Sequence, residues 1–258
     1  MQTDFEWFKV KMYHLTGIDL SLYKESQMKR RLNSLRMKRG ITSFKNYYES
    51  MLQSKELLEE CLDRMTINVT EFYRNRSRWE ILDKFLIPKI RETSASMNVW
   101  SAACSTGEEP YTLSIILSKH FKCSEFNIWA TDIDKQALTL ASNGKYSKQA
   151  LKSFLNQERE QFFVKEGSDY LIKDDYKSPI VFQKHNLLAD PVNHKFDLIV
   201  CRNVLIYFTD NAKQMIYQKF SRALKPGGIL FVGSTEQIFN PETYQLKSIE
   251  SFFYEKLK

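Results

Sequence analysis

Several features that define other classes of protein are missing from this chain of 258 residues. Its four cysteines, Cys61, Cys104, Cys123 and Cys201, lie far apart and form no C-x-x-C pair, which argues against a zinc site or a disulfide framework. No apolar run approaches the roughly 20 residues of a membrane span. The first residues are acidic and lack the apolar segment of a signal peptide. We therefore expect a cytoplasmic protein without a metal site or a membrane-inserted segment.

Glycine is scarce even in the stretch that is typical of a nucleotide pocket. A short apolar strand ending at Trp100 leads into Ser-Ala-Ala-Cys-Ser-Thr, then Gly107 and a helix opened by Glu108, Glu109 and Pro110. Small side chains let the main chain approach a ligand, and a helix N-terminus presents unpaired N–H groups. The single glycine does not make a G-x-G-x-x-G motif, and no P-loop Gly-Lys-Ser/Thr follows. Two carboxylates would repel a phosphate, so the sequence predicts a neutral or cationic ligand.

Basic and apolar residues are plentiful. The net charge is +7, which is typical of a protein with an acidic partner but also serves solubility alone. Hydrophobic residues make up 43% and aromatic residues 14% of the chain, enough for a large core.

Two patterns of apolar residues divide the chain. Up to about residue 90 they recur at three- and four-residue intervals, with breaks at Gly17 and Gly40, which predicts a small helical bundle. Beyond it, strands and helices alternate, which predicts a mostly parallel sheet with helices on both faces. The predicted strands are Val99–Ala102, Asn127–Thr131, Ile180–Gln183, Phe196–Val200 and Ile229–Gly233, and the predicted helices are Glu108–Phe121, Lys135–Asn143 and Asp210–Leu224.

Two stretches depart from this alternation. Residues 146–180 predict a short helix at Gln149–Asn156 and then an antiparallel hairpin of Phe162–Val164 with Tyr170–Ile172. Near the end, Tyr244–Leu246 and Phe252–Lys256 predict an antiparallel pair at one sheet edge. We expect a helical domain over residues 1–70, an interdomain helix over 71–90, and an α/β domain over 91–258 with a β insertion at about 146–180.

Polar residues follow each predicted strand, where open α/β sheets bind ligands. Asp132 follows the second strand, and an acid at this place commonly accepts hydrogen bonds from ribose hydroxyls. Asn186 and Leu187 follow the third strand and suit the edge and face of an adenine, and Arg202 with Asn203 follows the fourth. Together these positions predict an adenosine-containing ligand. The missing glycines and the paired glutamates favour S-adenosylmethionine over a nicotinamide dinucleotide.

Three stretches resemble the chemotaxis receptor methyltransferases, the CheR family. They are Thr66-Ile-Asn-Val-Thr-Glu-Phe-Tyr-Arg74, Trp100 to Pro110, and Phe196-Asp-Leu-Ile-Val-Cys-Arg-Asn-Val-Leu-Ile-Tyr-Phe208. The resemblance extends over nearly the whole chain. It implies a class I S-adenosylmethionine-dependent methyltransferase, with a Rossmann-like sheet, an all-helical N-terminal domain and a short antiparallel β insertion. It also implies methyl transfer to glutamate side chains on receptor cytoplasmic helices, with S-adenosylhomocysteine as product.

The same resemblance implies which residues form the site. The cofactor would be bordered by Asn68, Thr70, Arg74, Glu109, Asp132, Asn186, Leu187, Arg202 and Asn203. Of these, Glu109 would hold the methionine amino end, Asp132 the ribose, and Asn186 and Leu187 the adenine. Arg74 and Tyr207 would lie beside the transferred methyl group.

The chemistry needs no strong base, because a glutamate with a reference pKa near 4.3 is already ionised at neutral pH. We therefore expect Arg74 to grip the substrate carboxylate and Tyr207 to orient it by a hydrogen bond. Simpler interpretations stay open: Glu109 as a first-turn acid that complements the helix dipole, Asn68 and Thr70 as helix caps, and Tyr207 as a core residue.

A cluster of basic residues falls largely on one predicted helix: Lys29, Arg30, Arg31, Arg36 and Arg39, with Lys38 among them. A run of charge is usually a solvated face, but acidic receptor helices would make it a docking surface.

Three other functions fit the sequence less well. A nucleic-acid methyltransferase would typically carry an Asp/Asn-Pro-Pro-Tyr/Phe motif where this chain has Arg202-Asn-Val-Leu-Ile-Tyr207, and there is no separate base-reading module. A non-catalytic adaptor would not need Arg74 and Tyr207. A nicotinamide oxidoreductase is the most distant alternative. We expect a monomer that does not bind nucleic acid. We also expect that its short β insertion does not bind a tethering peptide of the receptor.

Overall fold

The computed structural model describes residues 3–258, which group into two compact units. The first unit contains the residues up to Ile67 together with Leu205–Met215. The second contains Asn68–Val204 and Ile216–Lys258. The residues after the fourth predicted strand therefore belong in part to the helical unit, which the sequence did not predict.

Four helices dominate the first unit, as the apolar periodicity predicts. They are α1 (Asp4–Thr16), α2 (Glu25–Lys38), α3 (Phe44–Gln53) and α4 (Lys55–Met65), with a 3₁₀ turn at Leu20–Leu22. The side chains of Ser43 and Ser54 accept hydrogen bonds from the first turns of α3 and α4. Gly17, with φ 73°, ends α1, and Gly40, with φ 71°, follows α2, so both predicted breaks are confirmed.

The second unit contains ten strands. They are β1 (Met97–Ala102), β2 (Phe126–Asp132), β3 (Lys145–Ser147), β4 (Phe163–Glu166), β5 (Asp169–Ile172), β6 (Ile180–Lys184), β7 (Phe196–Cys201), β8 (Leu224–Val232), β9 (Leu246–Glu250) and β10 (Phe253–Lys256). Its helices are α5 (Arg76–Ile81), α6 (Ile87–Thr93), α7 (Glu108–Leu117), α8 (Lys135–Asn143), α9 (Asn156–Phe162) and α10 (Asp174–Lys177), with a π-helical stretch, Leu82–Leu86, between α5 and α6. Helix α11 (Asp210–Ala223) has residues in both units.

Seven strands form one sheet in the order β6-β2-β1-β7-β8-β10-β9. The first five are parallel, and β10 pairs antiparallel with both β8 and β9. This confirms the mostly parallel sheet and an antiparallel pair at its edge. The first strand of that pair runs over Leu246–Glu250 rather than Tyr244–Leu246, because Tyr244 ends a 3₁₀ turn. The chain order reverses between β1 and β7, and such a reversal opens a crevice at the carboxyl ends of the strands.

Helix α7 is buried on every side, because all ten of its residues are shielded from solvent. A helix that is apolar all round belongs inside a core, and α7 lies beside β2 and the insertion. Its two acidic residues therefore enter the core with it. No helix within residues 3–258 is both long and apolar enough to cross a membrane.

The insertion forms a second, three-stranded sheet in the order β3-β5-β4. Its predicted hairpin is confirmed, but the predicted helix at Gln149–Asn156 is wrong. These residues form turns that bury Leu151 and Phe154, and the helix begins only at Asn156. There the Glu158 carboxylate accepts a hydrogen bond from the Leu155 N–H at 2.8 Å, which stabilises the start of α9.

Two glycines of the insertion region allow a matched test of this packing. Gly144 ends α8 with φ 68°, and a Cβ there would lie 2.5 Å from Cγ2 of Ile172 and 3.0 Å from the hydroxyl of Tyr111. Gly167, with φ 64°, has open space around it. We expect Gly167→Ala to lower the free energy of unfolding by about 1 kcal/mol, the cost of left-handed backbone. Gly144→Ala should cost about 1–3 kcal/mol more, from overpacking. Urea unfolding midpoints measure the difference, and equal losses would contradict it.

Candidate S-adenosylmethionine site

The loop between β1 and α7 turns sharply at the carboxyl edge of the sheet. Ala103, Ser105 and Gly107 all have positive φ, at 65°, 49° and 97°. Such angles are costly for residues other than glycine and persist only where surrounding contacts impose them. One such contact is the hydrogen bond from the Cys104 N–H to the Thr131 carbonyl, at 2.9 Å. The loop is therefore attached to the end of β2.

Asp132 is the second attachment. One oxygen of its buried carboxylate accepts the Ser105 N–H at 2.8 Å, and the other accepts the Asp134 N–H at 2.9 Å. Burial raises the pKa of Asp132, while these main-chain donors act in the opposite direction. A carboxylate has about four lone-pair sites. Asp132 can therefore hold the loop and still accept hydrogen bonds from a ligand.

Asn68 connects the segment before α5 to this loop. Its amide nitrogen donates to Asp134 Oδ2 at 2.6 Å, and its amide oxygen accepts the Ser105 hydroxyl at 3.0 Å. Asp134 Oδ1 accepts main-chain N–H groups in the first turn of α8, so Asp134 caps that helix. Thr70 lies half-buried two residues beyond Asn68. Asn68 thus ties three segments together rather than capping a helix.

Glu109 lies in the first turn of α7 and is 8% exposed. Its Oε1 accepts the Ser101 hydroxyl at 2.9 Å, and its Oε2 lies 3.9 Å from Nη1 of Arg202. Burial raises the pKa of Glu109 to about 7, and Arg202 acts in the opposite direction. Its neighbour Glu108 instead accepts the Thr106 hydroxyl at 2.7 Å. Glu109 is therefore the acid that faces the buried guanidinium.

Arg202 is held from several sides. Its guanidinium lies 5.0 Å from the ring centre of Trp79 and 4.8 Å from that of Phe231. Its Nη2 donates to the Arg74 carbonyl at 2.6 Å and to the Asn75 side chain at 3.3 Å. Its Nε is buried and has no hydrogen-bond partner within residues 3–258. A buried donor of this kind is costly unless a ligand satisfies it.

Asn203 follows in left-handed conformation, with φ 62°. Its N–H donates to Oε2 of Glu236 at 2.7 Å, and the same oxygen accepts the Gly233 N–H at 2.8 Å. Sequence reasoning missed Glu236, although it lies just after a predicted buried strand. The rule that polar residues at strand ends form the site could have found it.

Asn186 and Leu187 begin the loop after β6. The Asn186 N–H donates to the carboxylate of Asp190 at 2.7 Å, and its side-chain oxygen accepts the Leu188 N–H at 3.0 Å. Leu187 is buried, and its carbonyl accepts from the ammonium group of Lys219 at 2.6 Å. His185, which precedes Asn186, donates its N–H to the Asp132 carbonyl at 2.9 Å. This contact joins the loop to the end of β2.

The two residues predicted beside the methyl group lie in different units. Arg74 is half-buried in the second unit, and its Nη1 donates to the Val69 carbonyl at 2.9 Å. Tyr207 ends a 3₁₀ turn of the first unit, with its ring under the guanidinium of Arg31 at 4.8 Å. Its carbonyl accepts the Lys24 N–H at 2.9 Å. Tyr207 is half-buried, so it is not a core residue.

The five basic residues predicted to bind the receptor, which lie on α2 or directly after it, differ in their surroundings. Arg36 donates to the Ile41 carbonyl at 2.8 Å and lies over the ring of Phe44, and Arg39 pairs with Glu60 at 2.8 Å. Lys29 lies over the ring of Phe5, and Arg31 over Tyr207. Arg30 is exposed and makes no ion pair within the described chain. It is the clearest candidate for an outside partner.

Two family models match the chain in succession. The model described as the all-alpha domain of CheR methyltransferase matches residues 3–66, and the one described as its SAM binding domain matches residues 68–253.

Proteins of several bacteria are similar over most of their length. A chemotaxis protein methyltransferase of Listeria innocua is 42% identical, covering 99% of this chain and 98% of its own. Chemotaxis protein methyltransferase 1 of Pseudomonas aeruginosa is 35% identical, covering 94% and 93%. A chemotaxis protein methyltransferase of Borreliella burgdorferi is 31% identical, covering 88% and 85%. With both domains matched in order and relatives aligned over nearly their full length, this chain belongs to the CheR family of S-adenosylmethionine-dependent methyltransferases.

Proposed function

We propose that this protein transfers a methyl group from S-adenosylmethionine to glutamate side chains on the cytoplasmic helices of chemotaxis receptors, forming methyl esters. The observation that carries the proposal is the buried Glu109–Arg202 pair at the ends of β1 and β7. It occurs in a chain whose relatives are named chemotaxis protein methyltransferases.

The residues at this edge fit the charges of S-adenosylmethionine, whose amino and sulfonium groups are cationic and whose carboxylate is anionic. Glu109, when ionised, accepts hydrogen bonds from an ammonium group. The Nε of Arg202, buried without a partner among residues 3–258, suits a carboxylate. Asp132 has lone pairs left for ribose hydroxyls, and Leu187 offers an apolar contact for an adenine. Asn68, Thr70, Asn186 and Asn203 complete the border in this proposal.

S-adenosylmethionine supplies an electrophilic methyl group, and the protein needs only to align a nucleophile with it. The substrate carboxylate is ionised at neutral pH, so neither a general base nor a metal is included. In this proposal Arg74 turns from the Val69 carbonyl to the substrate carboxylate, and the Tyr207 hydroxyl donates a hydrogen bond to it. Alignment of the two reacting groups and exclusion of water lower the activation barrier by several kcal/mol. Orientation of reactants in general can supply about 7–11 kcal/mol.

The main chain at Arg74 suits this role. Its carbonyl accepts hydrogen bonds from both Arg202, at 2.6 Å, and the indole of Trp79, at 2.9 Å. The side chain is tied by its bond to Val69. The backbone is therefore fixed while the guanidinium can exchange one acceptor for another. Too tight a grip would weaken the nucleophile, so Arg74 acts by orientation.

The proposed partners are acidic receptor helices, which would approach the basic face of α2. The protein would act in the cytoplasm as a monomer, bind the receptor helices directly without a tether, and release S-adenosylhomocysteine.

The ester chemistry can be tested with tritiated S-adenosylmethionine and membranes that contain chemoreceptors. We expect label on the receptor that base releases as volatile methanol. Arg74→Ala and Tyr207→Phe should lower turnover by about 100-fold while cofactor affinity changes much less, because misalignment acts on the chemical step. The control variants Arg76→Ala and Tyr13→Phe, at exposed positions, should retain wild-type turnover.

Other outcomes of that assay point elsewhere. Base-stable label, or label on added RNA or DNA, would overturn the glutamate chemistry. Tight cofactor binding without any label would favour the adaptor.

Cofactor affinity should depend on pH through Glu109. Its pKa of about 7 in the free protein means that it is largely protonated below that pH and ionised above it. Because the ionised form holds a cation, affinity should rise through pH 7, level off above, and fall about tenfold per pH unit below. Titration calorimetry in buffers of different ionisation heat should show proton release near pH 7. Glu109→Gln should bind weakly and without this dependence, whereas Glu108→Gln should keep it.

If the receptor docks on α2, a charge change on this helix should alter only the KM for the receptor. Arg30→Glu should raise the KM for receptor membranes several-fold at low salt, because charge mainly affects encounter. The kcat and the affinity for S-adenosylmethionine should stay unchanged. Lys55→Glu on α4, whose side chain is 82% exposed, is the matched control. An unchanged KM for Arg30→Glu would rule out this face of α2 as the docking surface.

A further inference from the structure

Glu236 is a buried carboxylate that connects the ends of two neighbouring parallel strands. It lies beyond β8 and is 4% exposed. Its Oε2 accepts the Gly233 N–H of its own turn at 2.8 Å and the Asn203 N–H after β7 at 2.7 Å. A carboxylate that accepts two main-chain hydrogen bonds in a buried place holds both turns firmly.

The two turns approach so closely that only glycine fits between them. A Cβ at Gly233 would lie 2.9 Å from the Asn203 nitrogen and 3.1 Å from Cδ of Glu236. Asn203 keeps a left-handed φ of 62°, which costs energy unless neighbouring contacts hold it. Glu236 supplies such a contact. The direction in which Arg202 leaves β7 therefore depends on this carboxylate.

Glu236 also acts on the charges of the site. Burial lowers the pKa of Arg202, and Glu109 and Glu236 both oppose that change. Glu236 in turn raises the pKa of Glu109, which also faces Arg202, Arg74 and the Ser101 hydroxyl. The thiols of Cys104 and Cys201 lie in the field of Glu109 as well. Both buried carboxylates therefore favour the charged form of the one buried guanidinium.

We propose that Glu236 is a positioning residue of the S-adenosylmethionine site: it holds the Arg202–Asn203 turn in place, and its negative charge acts on Glu109 and Arg202. The inference rests on the proposed roles of Glu109 and Arg202. Without Glu236, Asn203 relaxes from its left-handed conformation, and Arg202, whose Nη1 lies 3.9 Å from Glu109, leaves β7 in a different direction. Arg202 and its partner Glu109 are then displaced from the positions in which they would hold the cofactor.

Two substitutions separate position from charge. Glu236→Gln keeps the shape and one acceptor oxygen but removes the charge, and Glu236→Asp keeps the charge but draws it back by one methylene. Calorimetry measures the affinity of the full chain for S-adenosylmethionine, without receptor, from about pH 5.5 to about pH 8.5. The pH at the midpoint of the change in affinity reports the titration of Glu109.

Both variants should bind S-adenosylmethionine about tenfold more weakly at the alkaline end, because Glu236→Gln replaces a charged acceptor by a neutral one and Glu236→Asp draws the acceptor back from the two N–H groups. For Glu236→Gln the midpoint should also move to lower pH, because Glu109 loses a neighbouring negative charge. For Glu236→Asp the midpoint should stay near that of the wild type. Glu242→Gln, exposed and nearby in sequence, should change neither quantity.

Wild-type affinity in Glu236→Gln, or weaker binding with an unmoved midpoint, would overturn the inference, since a merely structural role leaves the midpoint in place. Thermal unfolding without cofactor reports whether each variant folds. If Glu236→Gln does not fold, Glu236→Asp decides, and wild-type affinity there would also overturn the inference. Binding is measured without receptor. A wild-type protein that binds S-adenosylmethionine but esterifies no receptor would therefore defeat the proposed function and leave this inference standing.

Discussion

The buried pairing of Glu109 with Arg202 is the constraint on which the site depends. Transferring two ions from water into a core costs several kcal/mol per ion, and a separation of 3.9 Å repays only part of it. The remainder comes from the rings of Trp79 and Phe231 and from the Arg74 carbonyl, which surround the guanidinium. Such a pair is weak evidence for stability. Its occurrence at the edge where β1 and β7 end supports the proposed role in cofactor binding.

The same edge concentrates strained main chain, and carboxylates hold it. Asp132 accepts the N–H of Ser105, which has positive φ, and Glu236 does the same for Asn203. In both places a buried acid is used to position backbone, so its charge also enters the site. Structure and electrostatics cannot be separated here. A change that relaxes the turn also changes how strongly a neighbouring acid holds its proton.

Much of the architecture follows from local patterns. The strands of the large sheet, the hairpin of the insertion and the cap at Asp134 were predictable, because alternation and capping act over a few residues. The helix predicted at Gln149–Asn156 was wrong, since burial of Leu151 and Phe154 against distant residues outweighs local periodicity. The nine cofactor residues were placed by motif, and their roles stay predictions. Glu236 also follows a predicted strand, but its contact with the Asn203 N–H, which comes after a different strand, is not visible in the local pattern.

Binding and chemistry in this proposal depend on different groups. The nucleophile is ionised throughout the neutral range, and the buried His185 is kept neutral because burial lowers its pKa. Of the acids proposed for the cofactor site, Glu109 is the one whose pKa burial raises to about 7. Sensitivity to pH therefore enters through cofactor affinity in this proposal. A carboxylate buried for binding thus makes the enzyme pH-dependent, although its reaction transfers no proton.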